Sequence, residues 1–352
     1  MKHSYKIIGV LILIYSFVAG MIVPLSPGIS NVMPSSLKTD SEAVIEVVGY
    51  NSNYEKSVEG LRAWLKLSDE KALAAKDIEV ISDNKLRLRF DIPSHLPTTD
   101  KVKDMDLVID NRIDGASVYP SAVFITQDSV EAVMGEKVWT NARISNLHER
   151  TYMSFPFRNI LEESIRNTYF HVSLWFAMIF MFGAAVWHSV FYLNRKETLR
   201  DNKAVSFTQI GLLFGVLGLS TGAVWAKYTW GAFWSWDVKQ NMTAIALLIY
   251  FAYFILRNSF DDQAQKARIA GVYSIFAFVA MILLIYVIPR MSDSSLHPGN
   301  GGNPAFGGED LDNTMRMVFY PAIIGWTLLG TWVANLLIRA SVLKEKVEDL
   351  DW

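Results

Sequence analysis

The chain has 352 residues, of which 51% are hydrophobic, and a formal net charge of only −2. It is too apolar for an ordinary soluble domain and too charged for an all-membrane protein, so the composition implies a membrane part joined to a soluble part. No strongly basic stretch points to nucleic acid as a partner. The absence of cysteine excludes thiol–disulfide exchange, an iron–sulfur cluster or a thiolate nucleophile in this chain.

A membrane helix needs about 20 mainly apolar residues. Six segments meet or approach that length: 7–23, 171–193, 204–224, 242–256, 269–288 and 318–338. The fourth is short and is expected to begin nearer Val238, with Asp237 capping it through backbone N–H groups that have no partner within the helix. Basic side chains alternate with these segments. Lys2 and Lys6 precede the first; Arg195, Lys196, Arg200 and Lys203 follow the second. Arg257, Lys266 and Arg268 follow the fourth, and Arg339, Lys344 and Lys346 the sixth. Lys and Arg collect on the cytoplasmic side, so six spans with both termini inside put every cluster on one face. Val18-Ala19-Gly20 is similar to a signal-peptide cleavage site. The long apolar stretch before it and the stop at Pro24 and Pro27 favour an anchor.

Between the first two spans, residues 35–157 read as a β-rich domain outside the cytoplasm. Leu86, Leu88, Phe90 and Ile92 alternate with Lys85, Arg87, Arg89 and Asp91, the period of a half-buried strand. Ser82-Asp83-Asn84 joins this run to 78–81 as a hairpin. A second pair joins 105–109 to 117–125, and 43–48 and 61–67 are further candidates, the latter with a helical alternative. This spacing suggests a small β-sandwich or barrel. His95 and His148 read as solvated surface residues, and no catalytic constellation is visible in the domain. Ile160, Leu161, Ile165 and Tyr169 then recur at helical spacing, an amphipathic turn or two leading directly into the second span.

The run Trp225-Ala-Lys-Tyr-Thr-Trp230-Gly231-Ala-Phe233-Trp234-Ser-Trp236-Asp237 holds four of the 11 tryptophans and lies between two spans on the outer side. An interfacial belt accounts for one or two indoles. The full cluster reads better as a platform for a flat apolar ligand. His171, at the outer end of the second span, and His297, in the outer loop 290–316, fall on the same side. Imidazole is a standard axial ligand of haem iron, with Met291 or Met315 as alternatives. His188 lies inside the second span without a second histidine at its depth and reads as a structural or proton-accepting residue.

Trp-Gly-Ala-Phe-Trp-Ser-Trp-Asp resembles the tryptophan-rich WWD motif of the haem-handling membrane proteins of cytochrome c biogenesis, of CcmC and CcsA type. Arg166-Asn-Thr-Tyr-Phe-His171 is similar to the family's Arg-x-x-Tyr-x-His, and Ser-Leu-His297-Pro-Gly to its Leu-His-Gln-Gly. The resemblance covers about 158–340 and is nearest to CcmC. It implies a protein of the bacterial inner membrane that holds haem b (iron protoporphyrin IX) on the periplasmic side. His171 and His297 would be axial ligands. Trp225, Trp230, Gly231, Phe233, Trp234, Trp236 and Asp237 would form the platform, with Arg166 and Lys239 at the propionates. It implies delivery of haem to a periplasmic haem chaperone, alongside other cytochrome c maturation proteins. Lys239 departs from the arginine common in CcmC-type sequences, which loses a bidentate fork, and the insertion 35–157 departs from the small CcmC pattern. The implied organisation is a first helix in 1–34, the β domain 35–157, a five-helix domain 158–340 and a cytoplasmic tail 341–352. A CcsA-type synthase, and a polytopic scaffold or transporter with an aromatic belt, are the competing expectations. A synthase typically uses further intramembrane histidines, for which this chain offers only His188.

Overall fold

The computed structural model describes residues 4–68, 70–128, 135, 139, 144–150, 152–292, 294–297 and 311–348. Lys2, the Pro298 and Gly299 of the last motif, most of the loop 290–316 and the tail beyond 348 lie outside the described residues. The chain forms two compact units, Val23–Glu163 and Met1–Ile22 with Ser164–Trp352.

The unit Met1–Ile22 with Ser164–Trp352 is a helical bundle. Its helices are α1 (Ser4–Ile22), α2 (Ser173–Arg195), α3 (Thr198–Trp230), α4 (Val238–Asn258), α5 (Gln263–Ile282) and α6 (Asn313–Glu348). With short extensions, six described helices are long and apolar enough to cross a membrane. A 3₁₀ turn, Glu162–Arg166, and a π turn, Thr168–Val172, lead into α2. These are the turn or two expected from the spacing of Ile160, Leu161, Ile165 and Tyr169; Ile165 and Tyr169 are buried, whereas Ile160 is exposed. A second π turn, Leu283–Val287, and a 3₁₀ turn, Ile288–Met291, follow α5.

Small residues let these helices approach closely, as is usual where lipid provides no hydrophobic drive between them. The Phe182 ring lies against Gly211 of α3 and stacks on Tyr250 of α4 at 3.6 Å. Leu13 of α1 packs on Gly325 of α6, and the Tyr15 hydroxyl donates to the Met317 carbonyl at 3.1 Å. At the end of the bundle remote from Trp225 and Trp230, Arg257 makes a bidentate pair with Asp201, both nearly buried. His188 stacks on Phe207, and its Nδ1 accepts from Arg200 at 3.3 Å.

The other unit is two sheets around one core. Its strands are β1 (Gly28–Met33), β2 (Ser36–Lys38), β3 (Ser41–Tyr50), β4 (Arg62–Ser68), β5 (Lys71–Ala74), β6 (Asp77–Ser82), β7 (Lys85–Ile92), β8 (Val102–Asn111) and β9 (Gly115–Thr126). One sheet has the order β1-β3-β7-β6 and the other β2-β9-β8-β4-β5. Both expected hairpins are present, as β6–β7 and β8–β9. Residues 61–67 form a strand rather than a helix, because β4 is paired on both sides, with β5 and β8. Ile45, Val47, Leu86, Leu88 and Phe90 from one sheet meet Leu65, Met105, Leu107, Val123 and Ile125 from the other, which gives a sandwich. The unit reaches beyond 35–157: Leu25 bridges to Phe155, and Ser26 N–H donates to the Phe155 carbonyl at 2.7 Å. His148 differs from a freely solvated residue. Its ring bonds the fully buried Asp110 at 2.8 Å, and Arg62 donates to the same carboxylate.

Candidate functional site

The aromatic run is not one loop. Trp225 and Trp230 belong to the last turns of α3, which extends past the expected 204–224. Gly231 ends the helix: at φ +82° it takes the left-handed conformation that glycine accepts without steric cost, and its N–H donates to the Lys227 carbonyl at 3.1 Å. Only 231–237 connects to α4. Gln240 and Asn241 from the first turn of α4 tie this connection down. Gln240 Oε1 accepts from both the N–H and the hydroxyl of Ser235 at 3.0 Å, and Asn241 Nδ2 donates to the Trp236 carbonyl at 2.8 Å. Trp236 is held at φ +59°, a strained value for a bulky residue, and is 78% exposed. Phe233 is also exposed, and Trp234 meets Trp236 edge-on at 6.4 Å.

Asp237 joins the parts of the site. It caps α4 as expected, Oδ1 accepting from the Lys239 N–H at 2.8 Å. The same carboxylate reaches a distant segment: Oδ2 accepts from the Leu296 N–H at 2.7 Å and the Ser295 hydroxyl at 3.0 Å, and Oδ1 bonds His297 Nδ1 at 2.7 Å. Burial opposes ionisation of Asp237, but the hydrogen bonds from His297, Leu296 and Lys239 outweigh it, and the carboxyl lies well below the ordinary carboxylate range. For His297, burial lowers the pKa and outweighs the hydrogen bond to Asp237, which raises it. A neutral ring that donates through Nδ1 keeps its Nε2 lone pair for a metal. The His297 ring sits edge-on to Trp230 at 4.8 Å and 6.3 Å from Trp225.

His171 lies in the π turn before α2, against the same face of α3. A Cβ on Gly222 would fall 2.6 Å from its Cε1, so the imidazole occupies space that only a glycine leaves. Its Nδ1 bonds Thr221 Oγ1 at 3.1 Å, and the Trp175 indole donates to Nε2 at 3.1 Å. Gly222, Trp225 and Thr229 share one stripe of α3 by their spacing. The Thr229 hydroxyl is buried without a hydrogen-bond partner among the described residues. His171 is within electrostatic range of His297 and Lys239.

The cations divide. Lys239 is half-buried and within electrostatic range of Arg290 and Asp237, with no ion pair or side-chain hydrogen bond among the described residues. Arg166 donates to the Gly20 carbonyl of α1 at 2.7 Å. Lys227 donates to the Gly231 carbonyl and lies over the Phe233 ring. Of the methionines, Met315 is fully buried and Met291 is 79% exposed.

Among the described residues, one end of the bundle thus presents two imidazoles, a cluster of indoles of which Trp236 is mostly exposed, a buried hydroxyl without a hydrogen-bond partner and a lysine without an ion pair. That donor set fits a large flat ring carrying carboxylates and a metal that takes nitrogen ligands. Sequence reasoning missed Trp175, Thr221, Gln240 and Asn241. Trp175 alone carried a readable signal, its position four residues after His171 on one helix face.

Fold and site together define a six-span membrane protein with an aromatic, histidine-bearing site at one end of its helices. The family described as heme exporter protein C, CcmC, matches residues 150–351, and the chain belongs to that family. It is 26% identical over 192 residues to heme exporter protein C of Bradyrhizobium diazoefficiens, covering 53% of this chain and 70% of the relative. Against heme exporter protein C of Escherichia coli it is 27% identical over 134 residues, 38% of this chain and about half (52%) of the relative. It is also 35% identical over 104 residues to the cytochrome c biogenesis protein CcsA of Prochlorococcus marinus, 30% of this chain and 31% of that protein.

Proposed function

We propose that this protein binds haem b at the periplasmic face of the bacterial inner membrane and hands it on for cytochrome c maturation, to a periplasmic haem chaperone. His171 and His297 are the axial ligands in this reading. Trp225, Trp230, Phe233, Trp234 and Trp236 cover the apolar ring, and Lys239 meets a propionate, with Arg166 as the second cation. The basic clusters at the opposite helix ends support the orientation. The names of the relatives support the cargo.

The observation that carries the reading is the Asp237–His297 pair set against the edge of Trp230. A carboxylate behind an imidazole fixes the tautomer and strengthens the ring as a metal ligand. When bound, haem supplies the iron and the redox chemistry; the chain binds it, orients it and excludes water from its faces.

The test is titration of ferric haem into the detergent-solubilised protein, followed by addition of either a haem chaperone or an apocytochrome. A Soret band saturating at one haem, with transfer to the chaperone and no thioether formation, is expected. Thioether formation on the apocytochrome by this protein alone would favour the synthase, and no saturable band would remove haem from the account.

A further inference from the structure

The two candidate ligands are held differently. His297 is backed by a carboxylate. His171 is backed by a hydroxyl, Thr221, and its other nitrogen is engaged by Trp175. An indole N–H only donates, so the 3.1 Å bond from Trp175 fixes Nε2 as the unprotonated nitrogen of His171 and places the proton on Nδ1, facing Thr221. The Trp175 ring is also seated against a glycine of α3: a Cβ on Gly218 would fall 2.9 Å from its Cε2. Its plane stands at 81° to the His171 ring, with centroids 5.9 Å apart, so the indole points its N–H at the lone pair rather than stacking on the ring.

We propose that Trp175 caps the iron-binding nitrogen of His171 and must withdraw before that nitrogen ligates haem iron, so that it speeds release of the haem. The proposal rests on the haem reading above. An imidazole nitrogen has one in-plane lone pair, which cannot serve an indole proton and an iron together. The indole therefore competes with iron throughout the bound lifetime and recaptures His171 whenever the iron bond opens. A protein that passes its cargo on gains from one ligand that leaves readily, and the cap makes His171 that ligand. Trp175 acts here as a positioning residue, since it reaches the iron only through His171.

The experiment uses full-length protein in detergent, with Trp175→Phe and, as a second, flexible variant that also lacks an N–H, Trp175→Met. Release of ferric haem to excess apomyoglobin should slow by about 3- to 10-fold in both, the range given by one net hydrogen bond. A readout without haem comes from ¹⁵N-histidine NMR, with His171 assigned through His171→Ala. The parental protein should show an unprotonated, hydrogen-bonded Nε2, and both variants a resonance moved to the non-bonded position. Equal or faster release in the variants, or a protonated Nε2 in the parent, overturns the proposal. If the parent bound no haem while the NMR signature of a bonded Nε2 persisted, the haem reading would have failed and the hydrogen bond itself would stand.

Discussion

Asp237 is the residue on which most of the site depends, because one carboxylate caps α4, receives Leu296 and Ser295, and backs His297. Two substitutions separate these duties. Asn is itself a good N-cap, so Asp237→Asn should keep the cap while losing the bonds from Leu296 and Ser295, which its amide nitrogen cannot accept. It replaces a charge-assisted bond to His297 with a neutral one, and loss of such a partner typically weakens metal affinity by about 10- to 100-fold. Asp237→Ala should add a stability loss of about 1 kcal/mol from the missing cap. Haem titration beside thermal unfolding of the two variants checks the split. Equal haem affinity in Asp237→Asn and the parent would mean that the carboxylate serves only the helix. The capping role was legible in the sequence, since Asp237 stands directly before an apolar segment. The bond to His297 was not, because it joins residues 60 apart through two separate connections, and no local pattern carries that pairing.

At the scale of elements, what was legible followed from periodicity. The alternation in 85–92 specified β7, and the apolar runs specified all six long helices. What failed was the boundary of α3. The aromatic run interrupts the apolar pattern at Trp225, yet the backbone continues to Trp230 because nothing before Gly231 stops it. The turn or two before α2 was legible, but not its type, because helical spacing does not distinguish 3₁₀, π and α hydrogen bonding. In the β unit, β8 and β4 share the Asp110–Arg62 pair, and the 144–150 segment joins them through His148. Burial raises the pKa of Asp110, but the His148 N–H, Arg62 and the His148 ring outweigh it, and the carboxyl is depressed overall. A carboxylate with a depressed folded pKa contributes stability above its unfolded value of about 3.9, and that contribution is lost as pH falls through the lower folded value. Limited proteolysis of this unit should therefore show no Asp110-dependent change between pH 7 and 5, and a loss of protection below about pH 4 that Asp110→Asn removes. An equal acid response in parent and variant would contradict the assignment.

For the whole molecule, the arrangement of charge is the strongest sequence signal. The clusters around Arg195–Lys203, Arg257–Arg268 and Arg339–Lys346 fall at one end of the helices, opposite the run Trp225–Trp236. Reporter fusions after Lys203, Asp237 and Lys266 should read inside, outside and inside. An outside signal at Lys203 would invert the topology and put the candidate site in the cytoplasm. The β unit was legible as a separate body from its strand period, whereas its reach back to Leu25 was not, because a single bridge to Phe155 has no local signature.

The central claim is that His171 and His297 ligate one iron. Its most direct test is the visible and low-temperature EPR spectrum of ferric haem bound to the parent, His171→Ala, His297→Ala and the double variant. The account predicts a low-spin six-coordinate parent, a shift away from six-coordination in each single variant that added imidazole reverses, and near-complete loss of haem in the double variant. Unchanged haem content and an unchanged low-spin spectrum in all three variants would contradict it.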